Sequence, residues 1–418
     1  MITEEWESYL LSSNFILMNP TFHMKFKTLL VFVCNIIPVY GCIKFDCSTL
    51  DSSCSASALL LSLPSPSLIA SRVYGQVGSF TTANVNTPVM SADTLNGPFK
   101  PALAPDGSGI YLADQLNARA LFYPGISTTA TRVYGTAGSF AVPGNTGTTS
   151  STFDTIANVP EVFADPTGVY ISDIQGNRIL FFPGTSATAT RVYGQFGQFT
   201  CAVSNNVGAC ITGSPTTNGI ANPQGIYSDA SGVYIVDTNN HRVLFYPGTS
   251  TTATRVYGQF DFSSGLANAG ATVSAAGLNQ PRGLWVDASG VYVADVSNHR
   301  VLFYPGTSTT PSRVYGQPDF NSANPGTTAT SLNNPWYIRS FFGKVYIADT
   351  WNNRVLEFEG TSTTATKVWG QAENFTTNAP NVGGISAATL NQPYGLEMDL
   401  TGLYVADSAN NRMLFYPR

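Results

Sequence analysis

From Arg72 onward the chain is a succession of short apolar runs cut by Asp, Asn, Ser, Gly and Pro. The stretch from Leu278 shows the pattern. Gly283-Leu284-Trp285-Val286 reads as a strand, Asp287-Ala288-Ser289-Gly290 as a turn, and Val291-Tyr292-Val293-Ala294 as a second strand ending at Asp295. Val296-Ser297-Asn298 turns the chain again. Arg300-Val301-Leu302-Phe303-Tyr304 is then a third strand stopped by Pro305-Gly306, and Arg313-Val314-Tyr315-Gly316 is a fourth. No helical period links these runs, so the unit is four antiparallel strands.

The unit repeats. Arg72-Val73-Tyr74-Gly75 recurs from Arg132, Arg191, Arg255 and Arg313, and as Lys367-Val368-Trp369-Gly370, at steps of 60, 59, 64, 58 and 54 residues. A second marker places an Asp five residues before an Arg: Asp114/Arg119, Asp173/Arg178, Asp237/Arg242, Asp295/Arg300, Asp349/Arg354 and Asp407/Arg412. Six copies of a four-stranded unit predict an all-β, six-bladed β-propeller. The repeats begin with a lone fourth strand at 72–75 and stop after a third strand at Pro417-Arg418, so the first strand is expected to complete the last blade and close the ring.

Three further features resemble the NHL repeat: Asn-x-Pro-x-Gly before the first strand (Asn279 to Gly283, Asn391 to Gly395), Val-Tyr-Val-Ala-Asp in the second, and Asn240-His241-Arg242 or Asn298-His299-Arg300 at the turn. The resemblance spans Arg72 to Arg418. It departs from the pattern where Ala118, Asn177, Asn353 and Asn411 stand in place of the motif His, in the irregular Asn96-Gly97-Pro98-Phe99-Lys100-Pro101, and where Tyr337 replaces the Gly after Pro335.

Ahead of the repeats, Lys25 and Lys27 precede the apolar run Thr28 to Gly41, which has the form of a secretory signal peptide. At about 14 residues this run is too short for a comfortable bilayer span, although a membrane anchor is the alternative. Residues 1–41 are thus assigned to a leader with Met24 as its start, 42–70 to a Ser/Pro-rich tether, and 71–418 to the propeller. Secretion implies paired cysteines. Cys201 and Cys210 flank a polar loop that a disulfide would close, while Cys42, Cys47 and Cys54 leave an odd thiol. Asn374-Phe375-Thr376 is a glycosylation sequon.

Charged residues make up 11% of the 418, against roughly 25% in an average chain, and the net charge is -5. Of 20 Lys and Arg, twelve belong to repeat positions and three precede the propeller, leaving five scattered cations. That distribution excludes a basic stripe for nucleic acid, although some NHL propellers bind RNA. The resemblance also implies a rival chemistry, because secreted NHL-type propellers include peptide-amidating lyases with metal-binding His at the central channel. Here His241 and His299 lie at the motif turn, where packing within a blade is the expected role, and no Ser/His/Asp order, P-loop or paired-acid motif stands out, so no catalytic set is assigned. A metal-dependent lyase or hydrolase remains the alternative to a binding module, with calcium at the channel as its only cofactor candidate.

The six Asp/Arg pairs are expected to be structural, since every copy has one, each bridging the turn between the second and third strands of its blade. Recognition is expected where copies differ. After the motif Pro come Phe99, Glu161, Gln224, Arg282, Trp336 and Tyr394, and Trp351 follows the fifth motif Asp. Glu161, Gln224, Arg282, Trp336, Trp351 and Tyr394 are therefore the candidate contacts for an extracellular protein, peptide or glycan bound by a monomeric module.

Overall fold

The computed structural model describes residues 64–136, 138–143 and 158–418. The leader, Met24, Cys42, Cys47, Cys54 and most of the tether lie outside them. Among the described residues, six four-stranded antiparallel sheets form six blades. Blade 4, for example, runs Pro281–Asp287, Gly290–Asp295, Arg300–Pro305 and Arg313–Tyr315. The ring closes as the repeat boundaries imply: Arg72–Tyr74 pairs with Arg412–Pro417, Arg72 opposite Phe415 and Tyr74 opposite Met413.

Each motif Asp and Arg meet at the turn between the second and third strands, Arg Nε to Asp Oδ2 at 2.6–2.8 Å. The pairs are Asp114 with Arg119, Asp173 with Arg178, Asp237 with Arg242, Asp295 with Arg300, Asp349 with Arg354 and Asp407 with Arg412, all twelve side chains buried. A role confined to bridging the turn is too narrow for them, because each Arg also reaches irregular chain outside its blade. In blade 4 the terminal nitrogens of Arg300 donate to the carbonyls of Phe320, Ser274 and Gly277, which belong to the connectors after and before the blade. Arg119 likewise donates to the carbonyls of Phe140, Ser91 and Thr94, Arg354 to those of Phe375, Thr328 and Ser331, and Arg178 to that of Phe199. Asp295 in turn accepts from the backbone N–H of Asn279 and the amide of Asn298. Connectors on both sides of a blade are thereby satisfied by one ion pair, as buried backbone groups require.

The residues within the turn form a 3-10 turn in five blades, ending on a left-handed residue, with φ of 50–54° at Ala118, His241, His299, Asn353 and Asn411. Where that residue is His or Asn, it ties its blade to the next. The backbone N–H of Gln280 donates to His241 Nδ1 at 2.9 Å and that of Asn334 to His299 Nδ1 at 3.1 Å. Asn177, Asn353 and Asn411 accept in the same way through Oδ1. The motif His therefore works between blades rather than within one, as an acceptor that Asn replaces. Aromatic rings reinforce the seams: Tyr74–Tyr123, Tyr134–Phe182, Tyr193–Tyr246, Tyr257–Tyr304 and Tyr315–Phe358 meet edge to face at 5.1–5.3 Å, each pair joining a fourth strand to the next blade's third. Such pairs contribute about 0.5–1.5 kcal/mol each beyond burial.

The tether assignment needs correction at its end. Pro64–Ala70 is bound to the propeller: Trp369 Nε1 donates to the Ser67 carbonyl, Lys367 Nζ to that of Pro66, and Ser65 Oγ to Glu357, while Ser67 N–H reaches Pro417 O. Serine and proline make this stretch look like a linker, but proline also holds it extended and leaves its carbonyls free to accept.

Removing one partner of a buried pair strands the other charge, so Asp295→Ala is expected to cost about 3–5 kcal/mol, with Glu373→Ala, an exposed carboxylate, near zero. Denaturant midpoints of the two variants check this. Burial holds the His241 and His299 pKa values below 6.5, opposed at His241 by Asp237. Their contribution is present above pH 6.5 and is lost as pH falls through the lower folded values, where a protonated Nδ1 no longer accepts. His241→Asn with His299→Asn should flatten that acid-side decline in melting temperature while leaving pH 8 little changed.

Candidate functional site

In five blades the motif Pro of the inner strand lies opposite the motif Asp, as in Pro281 with Asp295 and Pro393 with Asp407. The residue after it therefore stands at the channel end that carries the Asp–Arg turns and the long connectors. There Phe99, Gln224, Arg282, Trp336 and Tyr394 converge. Phe99 stacks on Tyr394 at 4.3 Å and 18°, Trp336 lies 4.3 Å from Tyr394 and 5.2 Å from Phe99, and the Arg282 guanidinium sits 4.2 Å over Trp336. Gln224 is buried; the other four keep part of their surface in solvent.

Glu161 is not in this layer. Counting back from the Gly that opens each second strand, Val159 occupies the slot of the motif Pro and Pro160 the position after it, so Glu161 falls where blades 3, 4 and 6 have Gly225, Gly283 and Gly395. Those glycines are required because a Cβ would lie 2.2–2.4 Å from the next blade's backbone carbonyl. Blades 1, 2 and 5 instead carry Lys100, Glu161 and Tyr337, and these three meet beneath the aromatic lid. Tyr337 donates to Glu161 at 3.4 Å, and Lys100 Nζ lies 4.7 Å over the Tyr337 ring. Two residues further along the inner strands, Arg339 donates to Glu397 at 2.5 Å and stacks 3.6 Å over Trp285, and Lys100 is 3.9 Å from Glu397.

Beneath the aromatic lid the channel is thus lined by Lys100, Arg339, Glu161, Glu397 and aromatic rings. A cavity of about 20 Å³ between lid and charged layer has room for roughly one water. Burial pushes Glu161 up to about 8, against the opposing pull of Lys100, and burial lowers Lys100. Glu161 and Glu397, faced by Lys100 and Arg339, do not make the oxygen-rich donor set calcium requires. Among the described residues no group of three or more His, Cys, Asp or Glu is placed to hold a metal ion.

Trp351 stands apart from the lid, exposed on the 3-10 turn of blade 5. Cys201 and Cys210 are joined by a disulfide. Asn374 is exposed, its Oδ1 accepting from Thr376. A wider groove of about 400 Å³ runs along Pro215, Asn240, Gln259 and Leu266, and its lining carries no titratable side chain. No helix among the described residues is long and apolar enough to cross a membrane.

No family model and no curated protein matches the chain. Similar solved structures include a protein of unknown function from Bacteroides thetaiotaomicron, 14% identical, covering 82% of this chain and 75% of that one with a TM-score of 0.53. An auxiliary nutrient binding protein from Bacteroides ovatus is 12% identical over 84% and 76%, with a TM-score of 0.51. A streptogramin B lyase is 12% identical over 80% and 96%, at 0.43. At these identities the likeness is one of fold: the chain is a β-propeller.

A carboxyl whose folded pKa is raised stabilises fully below its unfolded value near 4.5 and loses that contribution as pH rises through about 8. Glu161→Gln should therefore remove part of the fall in melting temperature between pH 5 and 9, and melt above wild type at pH 9.

Proposed function

We propose that this chain is a secreted NHL-type propeller that serves as a binding module for an extracellular protein or glycan, which it holds at the connector end of its channel. One observation carries the reading: three aromatic rings and a cation gather, partly exposed, over a space of about 20 Å³. Binding at the mouth suits that arrangement better than chemistry inside, since the space beneath admits about one water. The repeated Asn-x-Pro-x-Gly and Asn-His-Arg motifs support the NHL assignment. Secretion draws support from the signal-like run at Thr28 to Gly41 and from the Cys201–Cys210 disulfide, and exposed Asn374 suits glycosylation. A propeller of similar fold is described as a nutrient binding protein, so the scaffold is compatible with such work.

The test is a screen of the secreted chain on arrayed glycans and extracellular proteins, repeated with Trp336→Ala plus Tyr394→Ala and with Trp351→Ala. Loss of at least tenfold in affinity is expected in the double variant. Retention in Trp351→Ala would confine the site to the mouth, whereas binding that survives the double variant would overturn the reading.

A further inference from the structure

Nearly every cation of the propeller has an acceptor. The six motif arginines have their aspartates, Arg339 has Glu397, Lys344 has Glu357 and Glu359, and the fourth-strand arginines Arg72, Arg132, Arg191, Arg255 and Arg313 donate to tyrosine hydroxyls. Arg282 differs. Among the described residues no carboxylate, carbonyl or hydroxyl accepts from it, and its Nε is buried without a partner. The indole N–H of Trp336, on which the guanidinium lies, is likewise buried and unanswered.

Burial draws the Arg282 pKa down to about 10, and no carboxylate offsets the cost. The two acidic side chains of the channel lie in the layer below and face Lys100 and Arg339. The mouth therefore offers N–H donors and one positive charge without a paired carboxylate; Glu161, which also lines the cavity beneath, accepts from Tyr337 and lies on the Lys100 side. A partly desolvated cation of this kind is completed by an anion, and guanidinium presents two parallel N–H groups to a carboxylate.

The shape of the mouth restricts what carries that carboxylate. A peptide anchors by burying a side chain in a pocket, but the cavity under the lid is about 20 Å³. A ring that rests on the surface needs no such pocket. On this basis, and resting on the proposed binding role of the mouth, we infer that the site takes an acidic sugar, a uronic acid whose carboxylate pairs with Arg282 while its ring packs against Trp336 and its aromatic neighbours.

The full secreted chain would be titrated calorimetrically with trigalacturonic acid and with its methyl ester, which keeps the rings and removes the charge. The acid is expected to bind at least tenfold more tightly than the ester. Arg282→Gln should bring the acid down to the level of the ester, and Arg282→Lys, which keeps a point charge but not the fork, should fall between. Unchanged melting temperatures would show that both variants fold. Equal affinity for acid and ester, unaffected by Arg282→Gln, would overturn the carboxylate inference and leave the mouth as a binding site. If neither sugar binds, the acidic-sugar assignment fails, while the role of the mouth stands or falls with the array screen on the Trp336 and Tyr394 variant.

Discussion

The buried Asp–Arg pair is the interaction on which the other features rest. A propeller blade gains hydrophobic and ladder energy from its four strands, but the connectors that join blades carry backbone carbonyls into the protein without a ladder to satisfy them. In blade 4 the guanidinium of Arg300 answers three such carbonyls and one carboxylate at once, and Arg119 and Arg354 do the same in blades 1 and 5. Burying an ion pair is costly, and an apolar replacement in a plain core is often as stable. No apolar side chain, however, could satisfy carbonyls from two separate connectors. The pair is present in all six blades because it converts irregular chain into a fixed rim, and a fixed rim is what places the residues of the channel mouth.

This logic also explains what was legible beforehand. The spacing of Arg-Val-Tyr-Gly and of Asp to Arg reports directly on strand order, so blade number and ring closure follow from it. The reach of Arg119, Arg178 and Arg354 into their connectors does not, since the carbonyls they meet lie 21 to 28 residues away; the one trace is a Phe four or five residues after each fourth-strand Gly, from Phe80 to Phe375, and a backbone carbonyl leaves no sign in sequence of what it accepts from. Local register was hidden too. Pro160 looks like the motif proline, but the count from Gly168 back through Val162 puts Val159 in that slot, and Glu161 drops one layer into the channel. Lys100 and Tyr337 were visible as departures from the motif, without any sign that they and Glu161 would meet, because contact between blades 1, 2 and 5 across an axis has no trace in sequence separation. Arg339 and Glu397 were equally silent: each occupies an ordinary inner-strand position, and their pairing is set by the ring.

Blade 5 shows how a repeat is modified for a local purpose. Its second strand starts with Lys344 where others have Gly, its third carries Glu357 where others have Phe, and its fourth has Lys367 and Trp369 in place of Arg and Tyr. All four side chains touch the segment 64–67: Lys344 and Glu357 hold the Ser65 hydroxyl, Lys367 the Pro66 carbonyl and Trp369 that of Ser67. In the other blades the arginine of the fourth strand stacks on that missing phenylalanine, as Arg313 does on Phe303 at 4.8 Å. The substitution of a ring by a carboxylate therefore makes sense only together with the incoming chain. Because the same segment leads into the closing strand at Arg72, blade 5 adds a second attachment for the strand that completes blade 6.

The interior and the mouth of the channel differ in how their cations are met, and the difference bears on function. Inside, Arg339 pairs with Glu397, Lys100 lies 3.9 Å from the same carboxylate and over the Tyr337 ring, and Tyr337 donates to Glu161. Such a packed cluster holds the inner strands in one arrangement and leaves little for a ligand to gain. Donors without acceptors occur in both places, Lys100 Nζ and the Trp285 indole inside and Arg282 Nε and the Trp336 indole at the mouth, but only Arg282 is a cation with no carboxylate beside it. Unpaired donors held by a rigid scaffold lose little entropy when a partner arrives, because the ordering was completed on folding. The six-fold repetition that makes the frame stiff thus confines specificity to the few positions where the copies differ.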